Sequence, residues 1–428
     1  MGREVFVIDG FGGRRVIDGS IKVNGSKNDA VQAFAASLLF KSGYGVTDVP
    51  DIDDISKMGA LLEKLGVGVL KNNKKWSFNT KNITSHVIDP EIACKIRASI
   101  LLTGPLLARS VKVNFPHPGG CVIGERPIDL FLDGFKQMGA KVEENEVGYK
   151  ITAPKGGLNG VTIFFRNQTV TGTETFMMAA VLARGTTVLK NCALEPEIEN
   201  LGRYLVSQGA RITGLGTPTI TIKGRAGKPL EAKKPYKVLP DRIEAGSFLI
   251  LGALAAKKLK VEGVRVQDLE SLLAHFERIG VPFKLGQSSV TITAPTKPLQ
   301  ALEVKTHEYP GFPTDLQALM AVLLTQAEGE SKVFEAIFEG RLVYLETLVR
   351  MGAKTQVMSQ NRARITGPTP LTGASVESPD LRAGLAYILA AIVAKGQSEV
   401  HNIHYIDRGY ECIDERLASL GVKIKRLT

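Results

Sequence analysis

The segments LLEKLGVGV (61–69) and FKQMGAKVE (135–143) carry one phrase, an apolar helical turn, a glycine and a short β-branched run. The phrase returns as LVSQGARIT (205–213), FERIGVPFK (276–284), LVRMGAKTQ (348–356) and LASLGVKIK (417–425). Its glycines, Gly66, Gly139, Gly209, Gly280, Gly352 and Gly421, follow one another at intervals of 73, 70, 71, 72 and 69 residues. A glycine after an amphipathic run predicts a helix closed by a left-handed residue, with a strand starting at once. Self-similarity at a fixed period reports a repeated supersecondary unit.

Working outward, each phrase is preceded by an Ala/Leu-rich helix, a turn and a short strand, as in AAVLARGTTVLKN (179–191), AVLLTQAEGESKV (321–333) and AAIVAKGQSEVHN (390–402). Each unit of about 70 residues thus holds two helices and several strands, too little to hide both faces of its own sheet. Two groups of three units, with helices inward and strands outward, would do so, giving two similar lobes with a cleft between them. A solenoid of identical repeats is disfavoured, because the polar residues change from unit to unit. Asn28, Arg97, Thr173, Glu244 and Asp315 follow at intervals of 69, 76, 71 and 71 and occupy roughly equivalent places near the starts of first helices. A common scaffold with different polar heads points to placed functional groups.

The bulk properties narrow the classes. The chain has 428 residues, 44% hydrophobic and 23% charged, which fits two globular domains rather than a disordered chain. MGREVFVIDGFGG has no apolar core of a secretory signal, and Phe6 stands where myristoylation needs Ser or Thr. No apolar run is long enough for a membrane span. A soluble, cytoplasmic protein is expected. Cys94, Cys121, Cys192 and Cys412 lack metal-type spacing and read as reduced thiols, three of them structural. The six histidines are dispersed, so no metal or other cofactor is expected. Lys and Arg number 54 against 43 Asp and Glu, a net +11. These cations are scattered, without a nucleic-acid-binding motif, so small anionic substrates are favoured over nucleic acid or membrane.

Helix N-termini attract anions through unpaired N–H groups and the helix dipole. Lys27 opens a helix in GSKNDAVQAFAA, and Arg97 and Arg382 belong to other first-helix starts. Arg126 and Arg408 each lie 13 residues before their repeat glycine and are placed at matching second-helix starts, and Arg341 lies 11 before its own. One such cation is ordinarily a solvated charge; six together imply a ligand with several negative charges, which arginine grips bidentately. Cys121 sits in NFPHPGGCVIGERPIDL (114–130), a Pro- and Gly-rich stretch read as a mobile loop, where a thiol near Arg126 and a helix start is disposed to react. Asp315 is an ordinary helix cap unless its repeat equivalence is considered.

Ten ordered motifs resemble the enolpyruvyl transferase family, in the branch acting on UDP-N-acetylglucosamine. They are GSKNDA, RASILLTGPLLAR, PGGCVIGERPIDL, TGTETFMMAA, EPEIENL, LPDRIEAGSFL, FPTDLQA, FEGRL, SPDLRAG and HYIDRGYE, spanning from about Asp9 to the C-terminus. The resemblance implies a two-lobed inside-out α/β barrel of six βαβαββ repeats, with one lobe at 25–236 and the other at 1–24 plus 237–428. It implies transfer of an enolpyruvyl group from phosphoenolpyruvate to the sugar 3-hydroxyl, the first committed step of peptidoglycan synthesis, without a cofactor. Cys121 would protonate the methylene carbon of the donor and Asp315 would take the hydroxyl proton. Lys27, Arg126 and Arg408 would hold phosphate and carboxylate, with Arg97, Arg341 and Arg382 in support. Asn28, Arg97, Arg126, Pro127, Ile128, Asp129, Leu130, Thr169, Val170, Asp315 and Ile337 would meet the UDP-sugar. Two departures, Asn167 where some relatives carry lysine and FEGRL for the commoner FENRF, touch substrate contacts only. Retention of Cys121 implies alkylation by the epoxide antibiotic fosfomycin. The rivals are an enolpyruvylshikimate phosphate synthase-like transferase, which would lack this cysteine, a catalytically silent paralogue and, more remotely, a basic nucleic-acid binder. Oligomeric state is open.

Overall fold

A computed structural model describes residues 4–117 and 128–427. At all six repeat glycines the backbone is left-handed, with φ between 86° and 98°. Each follows a helix, namely Asp53–Lys64, Asp129–Gln137, Pro196–Ser207, Glu270–Ile279, Tyr344–Arg350 and Ile413–Ser419. The closing bonds recur as well: Val67, Ala140, Ala210, Val281, Ala353 and Val422 each donate to the carbonyl five residues back, at 2.9 to 3.2 Å. Reversing the chain this way satisfies helix-end carbonyls and delivers it directly into a strand. These six helices are one-sided. In Asp53–Lys64 the buried residues are Asp54, Ile55, Met58, Gly59, Leu61 and Leu62, a single stripe of helical period.

The preceding helices differ. Arg242–Ala255, Gln317–Leu324 and Leu381–Val393 are buried along nearly their whole length and pack on one another. Val170–Leu182 is equally enclosed; it packs on Thr103–Ser110 and on the 3-10 turn Arg97–Leu102, which also meets Lys27–Ala36. A helix apolar all round belongs in an interior. Strands such as Thr219–Lys223 and Ser289–Thr293 alternate buried and exposed residues, so one sheet face lies on those helices and the other on solvent.

The described residues divide into two compact units, one of 25–117 and 128–239 and the other of 4–24 and 240–427. Among the described residues each unit holds three sheets. Five are four-stranded, each with one parallel edge pair and otherwise antiparallel neighbours. The sixth, Lys112–Pro116, Gly148–Thr152 and Lys141–Asn145, has three strands and a parallel bridge, Val87 to Asn114, in place of the fourth. All are open, and among the described residues no closed barrel forms. The barrel expectation is corrected accordingly: three or four strands are too few to curl shut, and helices cover each sheet instead.

The chain passes between the units at Asn24–Gly25 and Leu239–Pro240. The two passages are tied within each unit: Ser26 donates to the Leu239 carbonyl at 2.7 Å, and Asp241 to the Asn24 carbonyl at 2.9 Å. Buried Glu244 accepts the Asn24 amide at 2.7 Å and pairs with Arg416, whose guanidinium lies over the Phe248 ring. A side chain at Gly25 would place its Cβ 1.8 Å from the Asp48 carbonyl oxygen.

The repeat glycines separate two costs. At Gly280 a Cβ meets nothing within 4 Å, so Gly280→Ala loses only the left-handed preference, about 1 kcal/mol. At Gly66 the same Cβ would lie 2.3 Å from Thr84 Oγ1 and 2.8 Å from the Thr84 amide nitrogen. Gly66→Ala is expected to lower the thermal midpoint distinctly more than Gly280→Ala in calorimetry.

Candidate active site

Asp315 lies in the 3-10 turn Thr314–Leu316 that leads into Gln317–Leu324. Its carboxylate accepts from Arg341 Nη2 at 3.1 Å and from Arg382 Nη2 at 2.8 Å, one oxygen to each. The two guanidinium groups are 6% and 8% exposed and the carboxylate 28%, so the cations lie beneath an acid that remains reachable. Arg382, second residue of Leu381–Val393, also donates to Tyr410 Oη at 2.9 Å, and that oxygen meets Ser247 Oγ at 3.1 Å. Burial pulls the Arg382 guanidinium down, but Asp315 and then Tyr410 outweigh it, and the net displacement is upward.

Arg341 reaches the neighbouring Thr314 hydroxyl at 2.6 Å, which donates to buried Glu335 at 2.8 Å. The other Glu335 oxygen accepts from Thr306 Oγ1 and the Ile337 amide, both at 2.9 Å, and from the Phe338 amide at 3.2 Å. One buried carboxylate thereby orients the turn before Arg341 and the backbone of Ile337. Arg408 is placed differently from the sequence reading. It caps the end of the single turn His404–Asp407, and the next helix begins only at Ile413, so it does not open a helix. The reason lies in Cys412, whose left-handed backbone stands immediately before the restart. Arg341 likewise precedes its helix by three residues. Of the six cations, Lys27, Arg97 and Arg382 stand at described helix starts.

In the Gly25–Leu239 unit, Lys27 and Asn28 form the first turn of Lys27–Ala36, capped by Ser26 Oγ accepting from the Asp29 amide at 3.3 Å. The ammonium pairs with Asp54 at 3.2 Å; Asp54 is 3% exposed and begins the neighbouring helix. Arg97 opens a 3-10 turn packed on that first helix. Thr169 caps Val170–Leu182 through the Gly172 amide at 3.1 Å. A Cβ on Gly172 would sit 2.4 Å from Thr169 and 3.0 Å from Leu130, so the starts of Val170–Leu182 and Asp129–Gln137 abut, bringing Ile128, Asp129 and Leu130 beside Thr169 and Val170. Cys121, Arg126 and Pro127 lie outside the described residues. The remaining cysteines are free thiols, Cys192 buried and Cys94 and Cys412 exposed.

Sequence reasoning missed the carboxylates behind this turn. Asp29 and Glu174 are fully enclosed. Burial raises the Asp29 carboxyl to about 7, against the opposing hydrogen bonds from Tyr236, Leu239 and Gln32. Glu174 is pushed far up by burial and then by the charges of Glu197, Glu195 and Asp29, and its Oε1 finds no hydrogen-bond partner among the described residues. Their only sequence signal is an acid inside an otherwise apolar helix run. Among the described residues no cluster of His, Cys, Asp or Glu could hold a metal, and no helix is long and apolar enough to cross a membrane.

The family model described as EPSP synthase (3-phosphoshikimate 1-carboxyvinyltransferase) matches residues 12–417. The chain belongs to the EPSP synthase family of enolpyruvyl transferases. By that membership it is a carboxyvinyl transferase. Within the family, it is 40% identical over 416 residues to UDP-N-acetylglucosamine 1-carboxyvinyltransferase of a Nitratiruptor species, covering 97% of this chain and 98% of the relative. To the protein of the same name from Halothermothrix orenii it is 41% identical over 417 residues, with 97% and 98% covered. Among solved structures, the enolpyruvyl transferase NikO from Streptomyces tendae matches with a TM-score of 0.90 at 25% identity over the whole of both chains. EPSP synthase from Acinetobacter baumannii matches at 0.74 and 16% identity, covering 99% and 100%, which speaks for the fold alone.

Two outcomes follow from these networks. Arg382→Ala removes one of the two guanidinium partners of Asp315 and a donor to Tyr410, and should cost roughly 3 kcal/mol of stability in chemical denaturation. Glu174 titrates higher folded than unfolded, so the folded state binds more protons from the ordinary glutamate range upward, and stability falls as pH rises through that window. Glu174→Gln is therefore expected to raise the thermal midpoint at pH 8 more than at pH 5.

Proposed function

We propose that the protein transfers the enolpyruvyl group of phosphoenolpyruvate to the 3-hydroxyl of UDP-N-acetylglucosamine with release of phosphate, the first committed step of peptidoglycan synthesis, in the cytoplasm. The observation carrying this is identity of about 40% over 97% of the chain to relatives named for that sugar nucleotide. EPSP synthases of known structure share the fold at 16–17% identity, which leaves a shikimate acceptor without comparable support.

On this reading the hydroxyl adds to C2 of the donor while a proton reaches C3, giving a tetrahedral ketal. Loss of phosphate and of a C3 proton restores the enol ether. Cys121 delivers the first proton and Asp315 accepts that of the hydroxyl. Lys27, Arg126 and Arg408 hold phosphate and carboxylate, backed by Arg97, Arg341 and Arg382, where pre-oriented cations act on developing charge. Asn28, the 126–130 segment, Thr169, Val170 and Ile337 receive the UDP-sugar. The positions of Arg341 and Arg382 support the Asp315 role, since they aim both carboxylate oxygens and leave the group reachable. The two compact units are read as two lobes of three βαβαββ repeats each, with one lobe at about 25–236.

The test is phosphate release with both substrates, with Cys121→Ala and Asp315→Ala alongside. Release should require the UDP-sugar and fall by at least about a hundredfold in each variant. Release with shikimate phosphate instead, or none from folded wild type, would overturn the reading in favour of an EPSP synthase or a silent paralogue. Incubation with fosfomycin should add its mass to the peptide containing Cys121.

A further inference from the structure

Asp29 gathers more donors than any role assigned above requires. Its Oδ1 accepts from Gln32 Nε2 at 2.7 Å and from the Tyr236 hydroxyl, and its Oδ2 from Asn200 Nδ2 at 2.9 Å and the Leu239 amide at 2.7 Å. These donors come from its own helix, from Pro196–Ser207, from Tyr236–Lys237 and from the point where the chain leaves the unit. On the other side of Lys27 and Asn28, the Ser26 amide holds the Leu239 carbonyl at 2.7 Å. The turn carrying Lys27 and Asn28 is thus clasped at both ends by Leu239. The arrangement needs a carboxylate. A proton on Oδ2 would evict Asn200 or Leu239, neither of whose N–H groups can accept it, and a proton on Oδ1 would reverse the Tyr236 hydroxyl or expel Gln32.

We propose that ionised Asp29 is a positioning residue that fixes the Lys27 ammonium and Asn28 for the substrates, and that its protonation loosens that turn. This rests on the proposed role of Lys27 and Asn28 in binding. The titratable groups facing Asp29 are Tyr236 and Tyr44, both pushed up by burial, and the carboxylates Glu197 and Glu174. None of them neutralises it, and a carboxyl raised to about 7 changes state in the neutral range.

Trp76, the chain's one tryptophan, reports on this helix, because its ring lies 5.0 Å from that of Phe34. Its emission without substrates is expected to show a transition near neutral pH in wild type and none in Asp29→Asn. Tyr236→Phe removes a donor that favours the anion, so it should move the midpoint upward while leaving the fold intact. The KM for phosphoenolpyruvate at pH 8 should rise roughly three- to tenfold in Asp29→Asn, the worth of about one hydrogen bond, with kcat less affected. An unchanged transition in Asp29→Asn, or an unmoved midpoint in Tyr236→Phe, overturns the clasp irrespective of the reaction catalysed. A transition that follows Asp29 while KM stays constant overturns the positioning role, and phosphate release by wild type tells that outcome apart from a wrong assignment of function.

Discussion

Helices with no polar face constrain everything else in this protein. Residues 243–255 are buried without interruption, as are 317–324 and 382–393, and such helices are stable only when enclosed. Sheets with one apolar face supply the enclosure, and one-sided helices ended by left-handed glycines return the chain to them. A helix wrapped in this way can meet a ligand only at its ends. The first turns are therefore where charge is affordable, and that is where Lys27, Arg97, Arg382 and the turn holding Asp315 stand.

The charge at those ends is arranged as pairs. Arg341 and Arg382 are nearly inaccessible beside Asp315, while the partly buried Arg416 pairs with Glu244 and Lys27 with Asp54. Burying a cation costs several kcal/mol unless an acid and further hydrogen bonds compensate. The partners therefore restrict each side chain to one geometry.

Legibility in the sequence followed the range of the interaction. The glycine phrase is local, so its six left-handed helix ends and the strands behind them could be read directly. The enclosed helices were likewise visible as Ala/Leu-rich runs. Arg408 was misplaced because a shared spacing from Gly421 says nothing of the extra turn His404–Asp407 before the helix begins. Asp29 went unnoticed because its partners Asn200, Tyr236 and Leu239 lie 171, 207 and 210 residues away. Glu335 was hidden differently: it lies close to Ile337, but its carboxylate serves Thr306 and Thr314, and nothing in one sequence marks a glutamate as a buried anchor.

The strand Val5–Asp9 lies between Gln397–His401 and Lys423–Leu427, pairing with both. During synthesis this first strand therefore waits for the last two, while all of Gly25–Leu239 is complete long before either appears. Chains emerge and fold domain by domain, N-terminal portions first. Here the inserted unit can finish on the ribosome, whereas its host must keep Val5–Asp9 unpaired until the strands from Gln397 onward have been made.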